Sequence, residues 1–302
     1  MTDTVPARAV VTGATGFVGR RLAARLPGSV DKLALGNEDW RRGIAATDWR
    51  NACVYHLAAR VHEARTGDAD FERDNVEMTV ALAEAAAAGG ATRLVFLSTI
   101  KVNGEQTHGR PFKPADAPSP EDAYRRSKWR AEQALGRVSR DTGIEVVVVR
   151  SPLVIGPGAR ANLLALMRMA ASRMPLPFAS LRNRRTLVGV HDLAALLETC
   201  GNLPQASGRT FLAGHPEPLS TPRLLGAIRA AWNRPAGLFA VSPGVLEAAA
   251  AVVAARKKMY RLTRSLEVDV TATMRELAWT PSQTMDAAIA EMALAFRDEE
   301  SH

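Results

Sequence analysis

Along the first half of the chain, short continuous apolar runs alternate with stretches in which apolar residues recur every third or fourth position. The run Ala9 to Val11 ends in a glycine-rich turn and gives way to Val18, Leu22 and Leu26, spaced to lie on one face of a helix. A short second strand is predicted around 31–35, and a third apolar run, CVYHLAA at 53–59, again precedes a polar loop. A long helix is predicted from about Asn75 to Ala88, closed by Gly89 and Gly90, because glycine readily takes the left-handed cap. The run RLVFLST stops at Ser98 and Thr99, a proline-rich loop spans Pro111 to Pro120, and a helix carrying Tyr124 runs to about Arg140. The stretch IEVVVVRSPLVIG then supplies a β-branched run too continuous for an edge strand. Such alternation predicts an α/β fold: a doubly wound parallel sheet covered by helices on both faces, with ligands at the carboxyl ends of the strands.

Beyond Gly158 the texture changes to leucine- and alanine-rich helices broken by proline, as in MPLPFAS and AGHPEPLSTPRLL. Residues 1–160 are therefore expected to form the sheet domain and 161–302 a smaller, mainly helical region over its ligand edge, with about 186–200 returning to the main domain. The longest apolar region, 237–255, is broken by Pro243 and carries Glu247, so it does not read as a membrane span. At 302 residues and 47% apolar, the chain is long enough to bury a full core. Cys53 and Cys200 are far apart in sequence and form no metal-type pair; with no secretory-type start to the chain, a reducing, cytoplasmic setting is expected.

A net charge of +8 could serve nucleic acid, a membrane surface or small anions. The basic residues fall in separated pairs plus one run, RNRR at 182–185, and aromatics are only 5% of the chain, leaving little for base stacking. The charge is read as favouring a phosphorylated ligand rather than nucleic acid.

Gly13, Gly16 and Gly19 form G-x-x-G-x-x-G between a strand and a helix. That placement suits a dinucleotide: a tight turn, close backbone approach to a pyrophosphate, and phosphates at a helix N-terminus. Farther on, YRRSK at 124–128 sets a phenol and an ammonium four apart, on one helix face. His56 reads as a satisfied core histidine, Cys53 as core and Asp192 as a helix cap. VHEAR at 61–65 lacks the second histidine of a zinc-protease helix, and no metal is expected.

Together, TGATGFVG at 12–19, HLAA at 56–59, Asn75 heading a helix, LST at 97–99 and YRRSK resemble the extended short-chain dehydrogenase/reductase family, the NAD-dependent epimerases and dehydratases, over nearly the whole chain. The resemblance implies a Rossmann fold and a catalytic group of Thr99, Tyr124 and Lys128. It also implies a cofactor site of Gly13, Gly16, Phe17, Val18, Gly19, Leu57, Ala58, Ala59 and Val154 with Tyr124 and Lys128, and substrate contacts from Thr99, Asn162 and Arg185, with Arg261 or Arg264 as a second phosphate-binding arginine. An ammonium beside a phenol is expected to lower its pKa from about 10.

STIKVNGE, RSPLVIGPG and NRRTLVGV look most like bacterial reductases of UDP-4-keto-6-deoxy-N-acetylglucosamine, which make UDP-N-acetylquinovosamine. A nucleotide-sugar 4-ketoreductase acting on a UDP-sugar is thus the expectation. A UDP-hexose 4-epimerase is the first alternative and a non-catalytic dinucleotide-sensing regulator the second; a homodimer is left open. The chain departs from the family pattern at Asn103 and Gly104, where a tyrosine-glycine is usual, and at Ile155, where a tyrosine is usual; Ile155 is expected to make the sugar pocket less polar. The second strand ends LALGN without a carboxylate, and Arg41 and Arg42 follow, so the cofactor is NAD(P)(H) with NADP(H) favoured.

Overall fold

The computed structural model describes residues 8–36, 39–61, 67–159, 162–252 and 256–300. In chain order its strands are β1 (Arg8–Thr12), β2 (Ser29–Leu33), β3 (Ala52–His56), β4 (Arg93–Thr99), β5 (Glu145–Ser151), β6 (Leu153–Ile155), β7 (Leu187–Gly189) and β8 (Thr210–Leu212). Six of them form one parallel sheet in the order β2-β1-β3-β4-β5-β8. This is the doubly wound, Rossmann-like arrangement.

The apolar runs are continuous because both sheet faces are covered and successive side chains point to opposite faces. Val10, Val54, Leu94, Phe96, Val146 and Val148 enter one core, packed against α2 (Trp40–Ala46), α4 (Met78–Ala88) and α5 (Ala123–Thr142). Their neighbours Val11, Cys53, Tyr55, Val95, Val147 and Val149 enter the other, beneath α1 (Phe17–Arg25) and α7 (Val190–Asn202). Each fully buried valine or leucine contributes about 1.5–3 kcal/mol. Strand order reverses at β1, with β2 on one side and β3 on the other. The crevice for a ligand therefore opens beyond the ends of β1 and β3.

Pro152 splits the β-branched stretch IEVVVVRSPLVIG in two. It has no N–H for the β4 ladder, so β5 ends at Ser151 and β6 turns away to pair with β7 in a separate two-stranded sheet. The helix expected from Asn75 begins earlier, as α3 (Asp68–Phe71), and reaches α4 through a π turn at Glu72–Glu77 that holds Asn75 mid-helix. The acidic stretch that opens it, DADFERD, has no apolar period but suits a helix N-terminus. Asp192 lies in the first turn of α7 without capping it; its Oδ1 accepts from the Ser282 N–H and hydroxyl, both at 2.7 Å.

A third core gathers α6 (Asn162–Ala171), α8 (Thr221–Ala231) and α12 (Met285–Glu300) around β6 and β7. Two further helices, α9 (Pro243–Val252) and α10 (Arg256–Thr263), precede α11 (Thr271–Leu277). The second half of the chain gives the sheet unit more than 186–200: β8 extends the sheet, and Leu277 of α11 lies in the α7 core. Among the described residues no helix is long and apolar enough to cross a membrane.

Candidate active site

The glycine loop leaves β1 over a cavity of about 1070 Å³ lined by Gly13, Gly16, Lys32, Gly36, Arg41, Leu57, Ala58 and Ala59, among others. Gly13 has φ +68°, and a Cβ there would meet the Ala58 nitrogen at 2.8 Å; one on Gly19 would collide with the Gly13 carbonyl oxygen. Gly16 caps α1 with no side-chain hydrogen bond, so no side chain covers the helix's free N–H groups. A backbone cradle at a helix N-terminus fits the pyrophosphate of a dinucleotide. Phe17, Val18 and Gly19, the first residues of α1, are not among the lining residues.

Behind this cavity, Thr12 and His56 tie the ends of β1 and β3 together. The Thr12 hydroxyl accepts from the N–H groups of Leu57 and Ala58, both at 3.2 Å, and lies 2.7 Å from His56 Nδ1. Asn75 Oδ1 accepts from the Arg60 N–H at 2.8 Å and its Nδ2 donates to the Ser127 hydroxyl at 2.9 Å. Ser127 in turn donates to the Tyr124 carbonyl at 2.7 Å. The loop after β3 and the first turn of α5 are thus fixed to each other.

Thr99, Tyr124 and Lys128 line a second cavity, also about 1070 Å³, which shares Leu57, Ala59 and Val61 with the first. Val154 lines it too. Asp122 caps α5 by accepting from the Arg125 N–H at 2.9 Å, which places Tyr124 in the first turn. Burial pushes the Tyr124 phenol up to about 12, and the Asp122 carboxylate adds to the rise. The shift is thus opposite in direction to the lowering expected from Lys128. Burial brings the Lys128 ammonium down to about 7, and it sits 3.9 Å from the centre of the Phe96 ring. A phenol so raised stays protonated at neutral pH, as a proton donor requires.

The far wall of the second cavity carries charge. Arg185 lines it, its Nη1 donating to the Arg264 carbonyl at 3.0 Å. Arg261 lines it and Arg264 does not, while Arg184 pairs with Glu267 on the surface. Of RNRR, only Arg185 reaches the cleft. Asn162 opens α6, but its side chain lies outside the described residues. Sequence reasoning missed Lys101, Glu105 and Arg125, which line the same cavity. Arg125 pairs with Glu105, whose Oε2 is 3.7 Å from the Lys101 ammonium. Burial, then the cations Arg125, Arg261 and Arg185, push Lys101 down to about 8. The signal available was Lys101 two residues past Thr99 and Arg125 directly after Tyr124.

Ile155 is fully buried in the third core and does not line the cleft, because β6 turns it toward α6 and α8. It therefore does not make this cavity less polar, the role expected of it. Leu153, Leu163, Leu166 and Leu187 supply an apolar wall instead. Asn103 accepts from Arg150, and Gly104, at φ +154°, lies under the Phe112 ring. No group of three metal-ligating side chains occurs among the described residues.

The profile of the NAD-dependent epimerase/dehydratase family matches residues 9–214. The chain belongs to that family. The protein is therefore an enzyme of the NAD-dependent epimerase/dehydratase kind. A UDP-glucose 4-epimerase from Vibrio cholerae is 33% identical over 97% of this chain and 96% of its own length. A UDP-2-acetamido-2,6-β-L-arabino-hexul-4-ose reductase from Pseudomonas aeruginosa is 29% identical over 51% of this chain and 38% of its own. Among solved structures, dTDP-glucose 4,6-dehydratase of Streptomyces venezuelae, with NAD and TYD bound, has a TM-score of 0.77 at 20% identity, covering 97% of this chain and 98% of that one.

Proposed function

We propose that the family member described above is a 4-ketoreductase: it reduces C4 of a UDP-4-keto-6-deoxy-hexosamine, giving UDP-N-acetylquinovosamine. The observation that carries this reading is the cofactor cavity beyond β2, where Lys32, Gly36 and Arg41 stand and no carboxylate ends the strand. Guanidinium and ammonium groups suit a 2'-phosphate, which a carboxylate would repel. NADPH, exchanged at each turnover, fits such a rim. The leucine wall suits a 6-deoxy sugar.

A reduced nicotinamide supplies the hydride. Thr99 holds the C4 oxygen beside Tyr124. As hydride reaches C4, the carbonyl electron pair moves onto that oxygen, which takes the proton from Tyr124 Oη. The Lys128 ammonium stabilises the resulting phenolate until it is reprotonated from solvent. Arg185 and Arg261 face the diphosphate, the anion for which paired N–H donors are suited.

The test mixes the protein with the UDP-4-keto sugar and NAD(P)H and follows the cofactor absorbance near about 340 nm, a property of the reduced form. Loss of absorbance in proportion to sugar is expected. The full-length similarity to the Vibrio cholerae epimerase favours a second reading, a UDP-hexose 4-epimerase. Interconversion of UDP-glucose and UDP-galactose without added cofactor, and no loss of absorbance on the keto sugar, would establish it.

A further inference from the structure

Lys128 has a carboxylate one helical turn along α5, at Glu132, and both side chains are buried. Glu132 is held by two side chains. Arg150 Nη2 donates to its Oε2 at 2.6 Å, Arg150 Nε lies 3.2 Å from each oxygen, and the Ser98 hydroxyl donates to Oε1. Arg150 Nη1 donates to Asn103 Oδ1 at 3.0 Å, and Asn103 Nδ2 to the Asp116 carbonyl at 3.3 Å. One network therefore joins α5, β5, the last turn of β4 beside Thr99, and the loop after it.

Stability does not explain this pair. Replacing a buried ion pair by apolar groups of similar volume is often neutral or favourable, and farther along the same face α5 packs with Ala131, Ala134, Leu135 and Val138. The pair is tied instead to Ser98, the residue directly before Thr99. The titratable groups around Lys128 are Tyr124 and Glu132 on its own helix, His56 on β3 and Arg150 on β5. His56 is held neutral, down to about 3, by burial and by Lys128 itself. Tyr124 stays protonated. The charged neighbour that favours the ammonium is Glu132.

We propose that Glu132 is a positioning residue for Lys128: its carboxylate, one helical turn away and fixed by Arg150, favours the ammonium form of the lysine in a buried site, so that a cation is available when Tyr124 gives up its proton. The role assigned to Lys128 rests on the proposed reaction. The electrostatic coupling does not, and it can be read without turnover.

The experiment is a pH titration of the intact protein labelled with ¹³Cε-lysine, the Lys128 resonance being identified by its loss in Lys128→Arg. Glu132→Gln removes the charge but strands Arg150, so the paired variant Glu132→Leu with Arg150→Met is measured beside it. Glu132→Asp tests rescue. The Lys128 midpoint is expected to fall by about one unit or more in Glu132→Gln, the range for loss of a neighbouring charge, to fall by less in the paired variant, which removes a cation as well, and to return toward the wild-type value in Glu132→Asp. The basic limb of the kcat/KM profile should move to lower pH by the same amount. A folded Glu132→Gln protein whose Lys128 midpoint is unchanged overturns the proposal. A shifted midpoint with no turnover on any nucleotide sugar, in wild type as well, upholds it and refutes only the reductase reading.

Discussion

The Thr12 hydroxyl fixes the tautomer of His56. That hydroxyl already accepts two backbone N–H groups, so its one hydrogen goes to Nδ1, and Nε2–H donates to the Thr79 hydroxyl at 2.8 Å, itself a donor to the Asn75 carbonyl. A protonated imidazole would have no acceptor at Nδ1. Burial, and then the nearby Lys128 ammonium, bring the His56 pKa down to about 3, against 6.5 for the free side chain. Between those values the unfolded chain carries a proton the folded chain lacks, so this contribution is complete above about 6.5 and is lost as pH falls. Urea unfolding should show about 2 kcal/mol less stability at pH 5 than at pH 8 from this group. His56→Gln, less stable overall, should lose that part of the slope; an unchanged slope contradicts the assignment.

Tyr124→Phe removes the proposed proton donor and leaves the buried ring in place. Turnover should fall by about 10²-fold or more, with melting temperature and NADPH affinity retained. A rate close to wild type would remove Tyr124 from the reaction.

Arg41 stacks on the Trp40 ring at 4.2 Å on the rim of the cofactor cavity. In Arg41→Ala, NADPH should bind about 10-fold more weakly, the loss of one charge-assisted contact, and NADH nearly as before. Equal losses for both cofactors would place the 2'-phosphate elsewhere.

Lys101 is a cation that vanishes near neutral pH, at about 8. An anion such as UDP in the cleft favours its charged form, so UDP affinity should decline as pH rises through that value. Competition assays with Lys101→Met should give weaker binding and abolish this part of the pH dependence. Arg261→Ala should raise KM for the nucleotide sugar by about 10-fold or more, as for a lost hydrogen bond to a charged group.

Gly13→Ala tests the cradle. The substitution forces a side chain at φ +68° against the Ala58 nitrogen, and should cost about 1–3 kcal/mol of stability, with cofactor affinity reduced, because strain of that size accompanies a non-glycine residue at positive φ. Unaltered NADPH binding would show that the dinucleotide does not approach this loop.

The sequence by itself determined the layered sheet and the three groups at its ligand edge. Continuous apolar runs imply two covered faces, glycines between a strand and a helix imply a backbone cradle, and a four-residue interval puts Tyr124 and Lys128 on one side of α5. These are local periodicities, readable in one dimension. Tertiary structure alone decided the rest. Ile155 and Val154 are adjacent in the chain, yet one is sealed in the third core and the other lines the cleft, because Pro152 ends a ladder and β6 finds a partner at Leu187 to Gly189. The pKa of Tyr124 followed the same logic: spacing named its neighbour, but the depth of burial, which depends on every element packed around α5, set the direction. Lys101, Arg125, Arg185 and Arg261 come from four separate segments, and their shared field exists only where the folded chain brings them to one cavity. Charge and desolvation act through space, and distance in space is what a sequence does not carry.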